Sequence, residues 1–168
     1  ELVIADSYHA AQRAARVMKI DWQAGPGAQG SEADLLNRGA ELLEGTSGSL
    51  VIDNEHVDHM FQAADSVLQA SYTTNTVLHF QLEPVNAIGL QKDGRWELHT
   101  GNQWQSLILP TLGQALGVAP EKVVMRTYML GGGFGRRLNG DYGVPALLAA
   151  KALGKPVKVV FSREDDSR

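Results

Sequence analysis

The strongest chemical signal in the sequence is a stretch of bare backbone. Gly131-Gly132-Gly133-Phe134-Gly135 places four glycines in five positions, and Arg136 and Arg137 follow at once. Glycine lets the chain turn in ways other residues resist. Successive N–H groups in such a turn form a nest for anions. The two arginines would add fixed positive charge with bidentate donors. The chemistry suggested is capture of a phosphate, or of an oxyanion on a large cofactor. The plainer reading is a glycine-rich turn with two solvated arginines. A dinucleotide fingerprint would need Gly where Arg136 stands, and a phosphate loop of the nucleotide-hydrolase type would end in Gly-Lys-Ser/Thr. An ordinary NAD or ATP site is therefore disfavoured.

Other reactive types are more scattered. His79 and Glu83 stand four apart in His79-Phe80-Gln81-Leu82-Glu83-Pro84. Pro84 forces Glu83 into extended backbone, so this segment reads as a strand entry whose Glu is either functional or solvated. His56 and His59 have helical metal-pair spacing, with Glu55 and Asp58 close by. No third ligand is evident, and a charged surface turn is the better account. Gln103 follows Gly101-Asn102 and precedes Trp104. Its amide either points at a ligand or caps a helix. No nucleophile elbow of the Gly-x-Ser-x-Gly type occurs.

The elements that must position these residues read as follows. Leu2–Ile4 and Ile20–Trp22 have the look of short strands. Asp6 or Ser7 caps a helix running to about Met18, and Ser31-Glu32-Ala33-Asp34 is a capping-box pattern ahead of a leucine-bearing helix. Residues 24–30 and 45–49 are loops by composition. Ser66–Tyr72 is a candidate strand. Val85–Gln91 and Arg95–Thr100 flank Lys92-Asp93-Gly94, a hairpin signal. Trp104–Leu116 has helical spacing, with Pro110 predicting a late start or a bend and Gly117 at the stop. Lys122–Leu130 alternates as a strand and leads into the glycine loop. A helix from about Asp141 to Leu153, closed by Gly154, and a strand over Val157–Phe161 complete the chain. No internal repeat is visible.

Composition narrows the class. The 168 residues suit one ordinary domain, or one domain and part of another. Hydrophobic residues at 43% and charged residues at 20% predict a folded core. The net charge of −4 argues against a nucleic-acid partner. Cysteine is absent, which removes disulfides, thiolate metal sites, cysteine nucleophiles and any iron–sulfur cluster held by this chain. No apolar run approaches the ~18 residues of a membrane span. The chain starts at Glu1 and stops within a charge run, Ser162 to Arg168, and is expected to be an internal piece of a larger polypeptide.

Taken together, the motifs resemble a known family. His79-Phe80-x-Leu82-Glu83-Pro84, Gly101-Asn102-Gln103 and Gly131-Gly132-Gly133-Phe134-Gly135 occur in that order. Lys155-Pro156-Val157-Lys158 and Ser162-Arg163-Glu164-Asp165-Asp166 follow. The set resembles the molybdenum-binding subunit of the xanthine dehydrogenase/aldehyde oxidase family. The Arg136-Arg137 ending and the start Val3-x-Ala5-Asp6-Ser7-Tyr8-x-Ala10-Ala11 are most similar to the isoquinoline 1-oxidoreductase β-subunit branch. The resemblance is clear over about 65–168, fair over 1–30 and thin over 31–64.

The resemblance implies an α+β fold: two layers, mixed sheets with helices on one face, like a molybdenum-cofactor-binding domain. Residues 1–24 would be the tail of a preceding domain, 25–49 a variable excursion, and 50–168 part of the first cofactor-binding domain. The parent would oxidise aldehydes or N-heteroaromatic carbons with oxygen from water. Its cofactor would be molybdopterin, as the cytosine dinucleotide in most bacterial members. Its partners would be the rest of the large subunit, an iron–sulfur subunit and a small-molecule substrate. Gln103 matches the glutamine whose amide bonds a molybdenum oxo group. Phe134 and Gly135 match the loop lying against metal and pterin, Gly132 and Gly133 permit that approach, and Arg136 would neighbour the cofactor. No residue here ligates the metal, and the family's general-base Glu lies beyond this chain, so no catalytic residue is assigned within it. The isolated chain is expected to bind no cofactor and to be inactive. A competing expectation is a non-catalytic α+β module that holds a phosphate ligand or a protein partner through the glycine loop.

Overall fold

The structure is a computed structural model describing residues 2–45, 47–52, 54 and 56–167. Among these, the helices are α1 (Tyr8–Val17), α2 (Glu32–Glu44), α3 (Val57–Ala63), α4 (Gln105–Leu116), α5 (Gly143–Leu153) and α6 (Arg163–Asp166). The strands are β1 (Asn86–Lys92), β2 (Arg95–Thr100), β3 (Val123–Thr127) and β4 (Val157–Val160). The chain divides into two compact units, one of Glu1–Met18 with Leu78–Arg168, the other Lys19–Val77.

The first unit holds a four-stranded mixed sheet in the order β3-β2-β1-β4. β1 runs antiparallel to β2 and β4, and β2 runs parallel to β3. Asp93 and Gly94 both adopt left-handed backbone between β1 and β2 (φ 49° and 73°), as a two-residue hairpin requires. Register puts one apolar set on one face. Gly89 pairs with Leu98 and Val157, Ala87 with Val159, Trp96 with Val123, and Leu98 with Met125. That face meets α5 closely: a Cβ on Gly89 would stand 2.5 Å from the Ala146 carbonyl, and one on Gly143 would stand 2.5 Å from Leu98. Ile108, Leu112 and Leu116 of α4 join Ala146, Leu147 and Ala150 of α5 in the same core. Period-2 strands and period-3.6 helices thus bury their apolar faces against each other. This is the two-layer α+β arrangement expected, with one mixed sheet among the described residues.

The connectivity has a consequence for function. β2, β3 and β4 all end where β1 begins, so residues 79–85, 101–104, 128–142 and 161–167 leave the sheet at one edge.

Several expectations need correction. Leu2–Ile4, Ile20–Trp22 and Ser66–Tyr72 are not strands. Strands need ladder partners, and Trp22 and Leu68 stand 77% and 95% exposed with none. β3 stops at Thr127; Tyr128 N–H makes one more bond to the Thr100 carbonyl (3.1 Å), and Met129 then turns into solvent. Pro110 does not delay α4, which starts at Gln105 and runs through it to Leu116. Burial of Ile108, Leu112 and Leu116 outweighs the bond its ring removes.

In the second unit α2 starts with the capping box expected: Ser31 Oγ accepts from Asp34 N–H (3.2 Å), and Asp34 Oδ2 accepts from Ser31 N–H (2.9 Å). A 3-10 turn spans Pro26–Gln29. None of the unit's described residues is buried.

Candidate functional site

The four loops at the common sheet edge interlock. Glu83 N–H donates to the Gly131 carbonyl (3.1 Å), and Gly131 N–H donates to Glu83 Oε2 (2.8 Å). Glu83 Oε1 accepts from Asn86 Nδ2 at 3.0 Å. Burial works to raise the Glu83 pKa. The Gly131 N–H, the Asn86 amide and the Arg137 charge outweigh it and hold the carboxyl below the usual glutamate range.

Arg137 is the hub. Its side chain is fully buried. Nε donates to the Gly132 carbonyl at 3.1 Å, and Nη2 donates to the Glu83 carbonyl and to Glu83 Oε2, both at 2.8 Å. Its own carbonyl accepts from Asn102 Nδ2 (2.8 Å) and Gln103 N–H (3.2 Å). Tyr142 closes the set by donating its hydroxyl to the Gly101 carbonyl at 2.8 Å. Arg136 is committed as well: Nη1 bonds Asp141 (2.8 Å), Nε bonds Asp166 (3.2 Å), and the guanidinium lies 5.8 Å from the Tyr142 ring centre. The two arginines read as free charges for an anion are therefore internal fasteners. The sequence carries no sign of this, because adjacent arginines in a glycine run look solvated.

What the fasteners hold is a tight, left-handed turn. Gly132, Phe134 and Gly135 have φ of 96°, 50° and 97°. A Cβ on Gly133 would stand 2.5 Å from Cδ and Oε1 of Gln103, and one on Gly132 would stand 2.9 Å from the Phe134 ring. Phe134 pays a steric cost for its backbone and stays 73% exposed, and Phe80 in the neighbouring loop is likewise left-handed (φ 42°) and 63% exposed. Such strain clusters at functional sites. Among the described residues the N–H groups of Gly132, Gly133 and Phe134 have no acceptor, whereas those of Gly131, Gly135, Arg136 and Arg137 are all bonded.

Gln103 completes the arrangement. Its Oε1 accepts from Gly135 N–H (3.1 Å) and Arg137 N–H (3.3 Å). With the oxygen so fixed, Nε2 is left as a donor that bonds none of the described residues. Gln103 does not cap α4; Trp104 is the capping residue, with no side-chain bond there, and Asn102 Oδ1 takes the Trp104 N–H at 2.7 Å. The structure thus brings Gln103, Gly132, Gly133, Phe134 and Gly135 together, with Arg136 beside them. His79 joins the edge of the loop, its Nε2 3.5 Å from where a Gly135 Cβ would be. No hydrogen bond or ion pair joins His79 to Glu83 among the described residues. His56 and His59 lie at and within α3, and the described residues contain no group of three metal-ligating side chains; Glu55 lies outside them.

The loop, its register and its open N–H groups all sit within the segment that matches the molybdopterin cofactor-binding domain family, residues 44–168. The chain belongs to that family. It is 53% identical over 167 residues to the membrane-bound aldehyde dehydrogenase [pyrroloquinoline-quinone] of Gluconacetobacter polyoxogenes, covering 98% of this chain and 22% of that protein. It is 33% identical to the isoquinoline 1-oxidoreductase subunit beta of Brevundimonas diminuta, covering 93% and 21%. Its fold is similar to quinoline 2-oxidoreductase from Pseudomonas putida 86, with a TM-score of 0.64 at 20% identity over 96% of this chain and 21% of that one. The chain spans about a fifth of the length of the relatives it matches. The resemblance to xanthine dehydrogenase and aldehyde oxidase molybdenum-binding subunits is thereby upheld. The competing expectation of a stand-alone non-catalytic module finds no support among these relatives.

An anionic pterin cofactor fits what is built here. The turn offers three adjacent N–H donors that no acceptor among the described residues takes, beside the Gln103 amide that packs against Gly133. The two arginines contribute by holding the turn, not by charge.

Proposed function

We propose that this chain forms part of the cofactor site of a molybdenum hydroxylase large subunit. The enzyme would oxidise aldehydes or N-heteroaromatic carbons, with water as the oxygen source. The observation that carries the reading is Gln103: its oxygen accepts from the Gly135 and Arg137 N–H groups, so its Nε2 is left as a donor that bonds none of the described residues. Gly132, Gly133, Phe134 and Gly135 would line the cofactor, with Arg136 as their support. The cofactor would be molybdopterin as the cytosine dinucleotide. When bound it would supply the redox centre and the oxygen-transfer chemistry. This chain's own part would be to orient: the nest would receive negative charge, Gln103 would donate to an oxygen on the cofactor, and exposed Phe80 and Phe134 would cover its rim. Residues 50–168 would be the first portion of the cofactor-binding domain, followed by the remainder of the subunit and served by an iron–sulfur subunit that takes the electrons. A general base would come from that remainder.

The experiment is Gln103→Ala in the full-length protein. Loss of one preorganised donor should lower kcat ~100-fold or more. Molybdenum per chain and melting temperature should stay near the parent's. Full kcat in the variant, or a parent without molybdenum, overturns the reading. A quinone assay on the same preparation tests the second possibility raised by the Gluconacetobacter relative's name, since pyrroloquinoline quinone is also an anion that an N–H nest can hold.

A further inference from the structure

Asp166 is a buried carboxylate that the cofactor reading does not use. Its side chain is 2% exposed although it lies in a charge run. It takes three partners. Gln81 Nε2 donates to Oδ2, Arg136 Nε donates to Oδ1 at 3.2 Å, and Arg163 Nη1 lies 3.7 Å from Oδ2. Each partner sits on a different segment: the loop before β1, the glycine loop and α6. Arg163 strengthens the first connection by donating Nη2 to the Gln81 carbonyl (2.6 Å) and the Leu82 carbonyl (3.0 Å). Gln81 is itself 1% exposed, and its Cβ lies 3.2 Å from where a Gly132 Cβ would be. Arg136 N–H donates to the Gly133 carbonyl at 2.8 Å, so holding Arg136 holds that peptide.

We propose that Asp166 is a positioning residue: it clamps the 79–84 and 131–137 loops together and so sets the direction of the open N–H groups of Gly132 and Gly133. The proposal rests on the cofactor reading above. The physical reason is that a run of glycines has little stiffness of its own. Its shape must come from outside, and a buried charge shared by three donors on three segments supplies it. Asp141, the other partner of Arg136, is 61% exposed and cannot do the same. The clamp lies outside the sheet–helix core, so its loss should loosen the loops without unfolding the domain.

The test compares Asp166→Ala and Asp166→Asn with the parent in the full-length holoenzyme. Asn keeps one acceptor oxygen, enough for Arg136 or Gln81 but not both, and should restore part of what Ala loses. The readout independent of activity is hydrogen exchange. Amides of 131–137 should exchange ~10-fold faster or more in Asp166→Ala, while those of β1 and β2 stay as in the parent. A misplacement of about 1 Å at a site can cost ~100-fold in rate, so kcat should fall by ~10- to 100-fold with KM little changed. The Mo(V) paramagnetic resonance signal should shift. Unchanged exchange in 131–137 with an unchanged signal overturns the proposal, as does equal collapse of melting temperature in both variants. A parent without molybdenum, or an unaffected Gln103→Ala, sinks the cofactor reading instead; the exchange result in 131–137 still decides the clamp.

Discussion

Residues 85–160 and residues 19–77 are built on different physics. The first region buries Val85, Ala87, Leu98, Ile108, Leu112, Tyr142 and Leu147 almost completely, with a sheet whose register puts Ala87, Trp96, Leu98, Val123, Val157 and Val159 on one face. The second forms α2 and α3 without a single buried described residue; Leu43, Val51 and Leu68 stand 87%, 89% and 95% exposed. Its helices rest on local devices, a capping box above all. Local devices are enough to start and stop a helix. They do not bring distant residues together, and Gln103, Gly132, Gly133, Phe134, Gly135 and Arg136 all lie in the region that long-range packing organises.

Three changes would break or sharpen that contrast. The largest effect belongs to Arg137→Met in the full-length protein. The substitution roughly keeps the volume but strips the donors from the Gly132 and Glu83 carbonyls and from a carboxylate. Removing one partner of a buried charged network costs on the order of 3–5 kcal/mol. Protection of β1, β2 and the 131–137 loop against hydrogen exchange should fall together, with α2 untouched. Loss confined to the loop would show that the core does not depend on this hub.

A smaller, pH-dependent effect belongs to Glu83→Gln. The folded carboxyl lies below its usual range. Its contribution is therefore present above the unfolded value, about 4.3 for glutamate, and is lost as pH falls through the folded value. The variant should unfold at lower urea than the parent at about pH 7, and the gap should narrow below about pH 4. A gap that widened in acid would mean that the native state holds Glu83 protonated.

The smallest effect belongs to Ser31→Ala. Loss of the capping box should cost about 1 kcal/mol of α2 alone, read as faster exchange of its first-turn amides. The exchange of β1 and β2 should not move. Coupled loss in both regions would show that the second region is not held locally.

Local signals in the sequence were legible where the physics is local. Ser7, Ser31, Gly117 and Gly154 mark helix ends that the structure keeps, and Asp93-Gly94 marks the hairpin. The Ser162–Asp165 capping box of α6 lies within a run of charges that masks its Ser-x-x-Asp pattern. The strands expected at 2–4, 20–22 and 66–72 failed because an apolar run predicts burial, not a ladder partner. At the site, the glycine turn was legible as an anion nest from its own residues, and Gln103 only through the family resemblance. Arg137 and Asp166 were not legible, because nothing within a few residues of either tells that it is buried.

The sequence by itself determined the ingredients: a glycine turn too open to be filled by side chains, an amide just past a strand, helix caps, and an alternation that puts one face of each strand inward. Each follows from residues close together in the chain. Tertiary structure alone decided that β2, β3 and β4 end where β1 begins, which delivers four loops to one edge. It alone decided that the Gln103 oxygen accepts from Gly135 and Arg137, and that two arginines and Asp166 spend their charges on one another's loops. Burial, strand register and charge pairing depend on partners up to 85 residues apart, as between Gln81 and Asp166, and no local pattern carries information about a partner that distant.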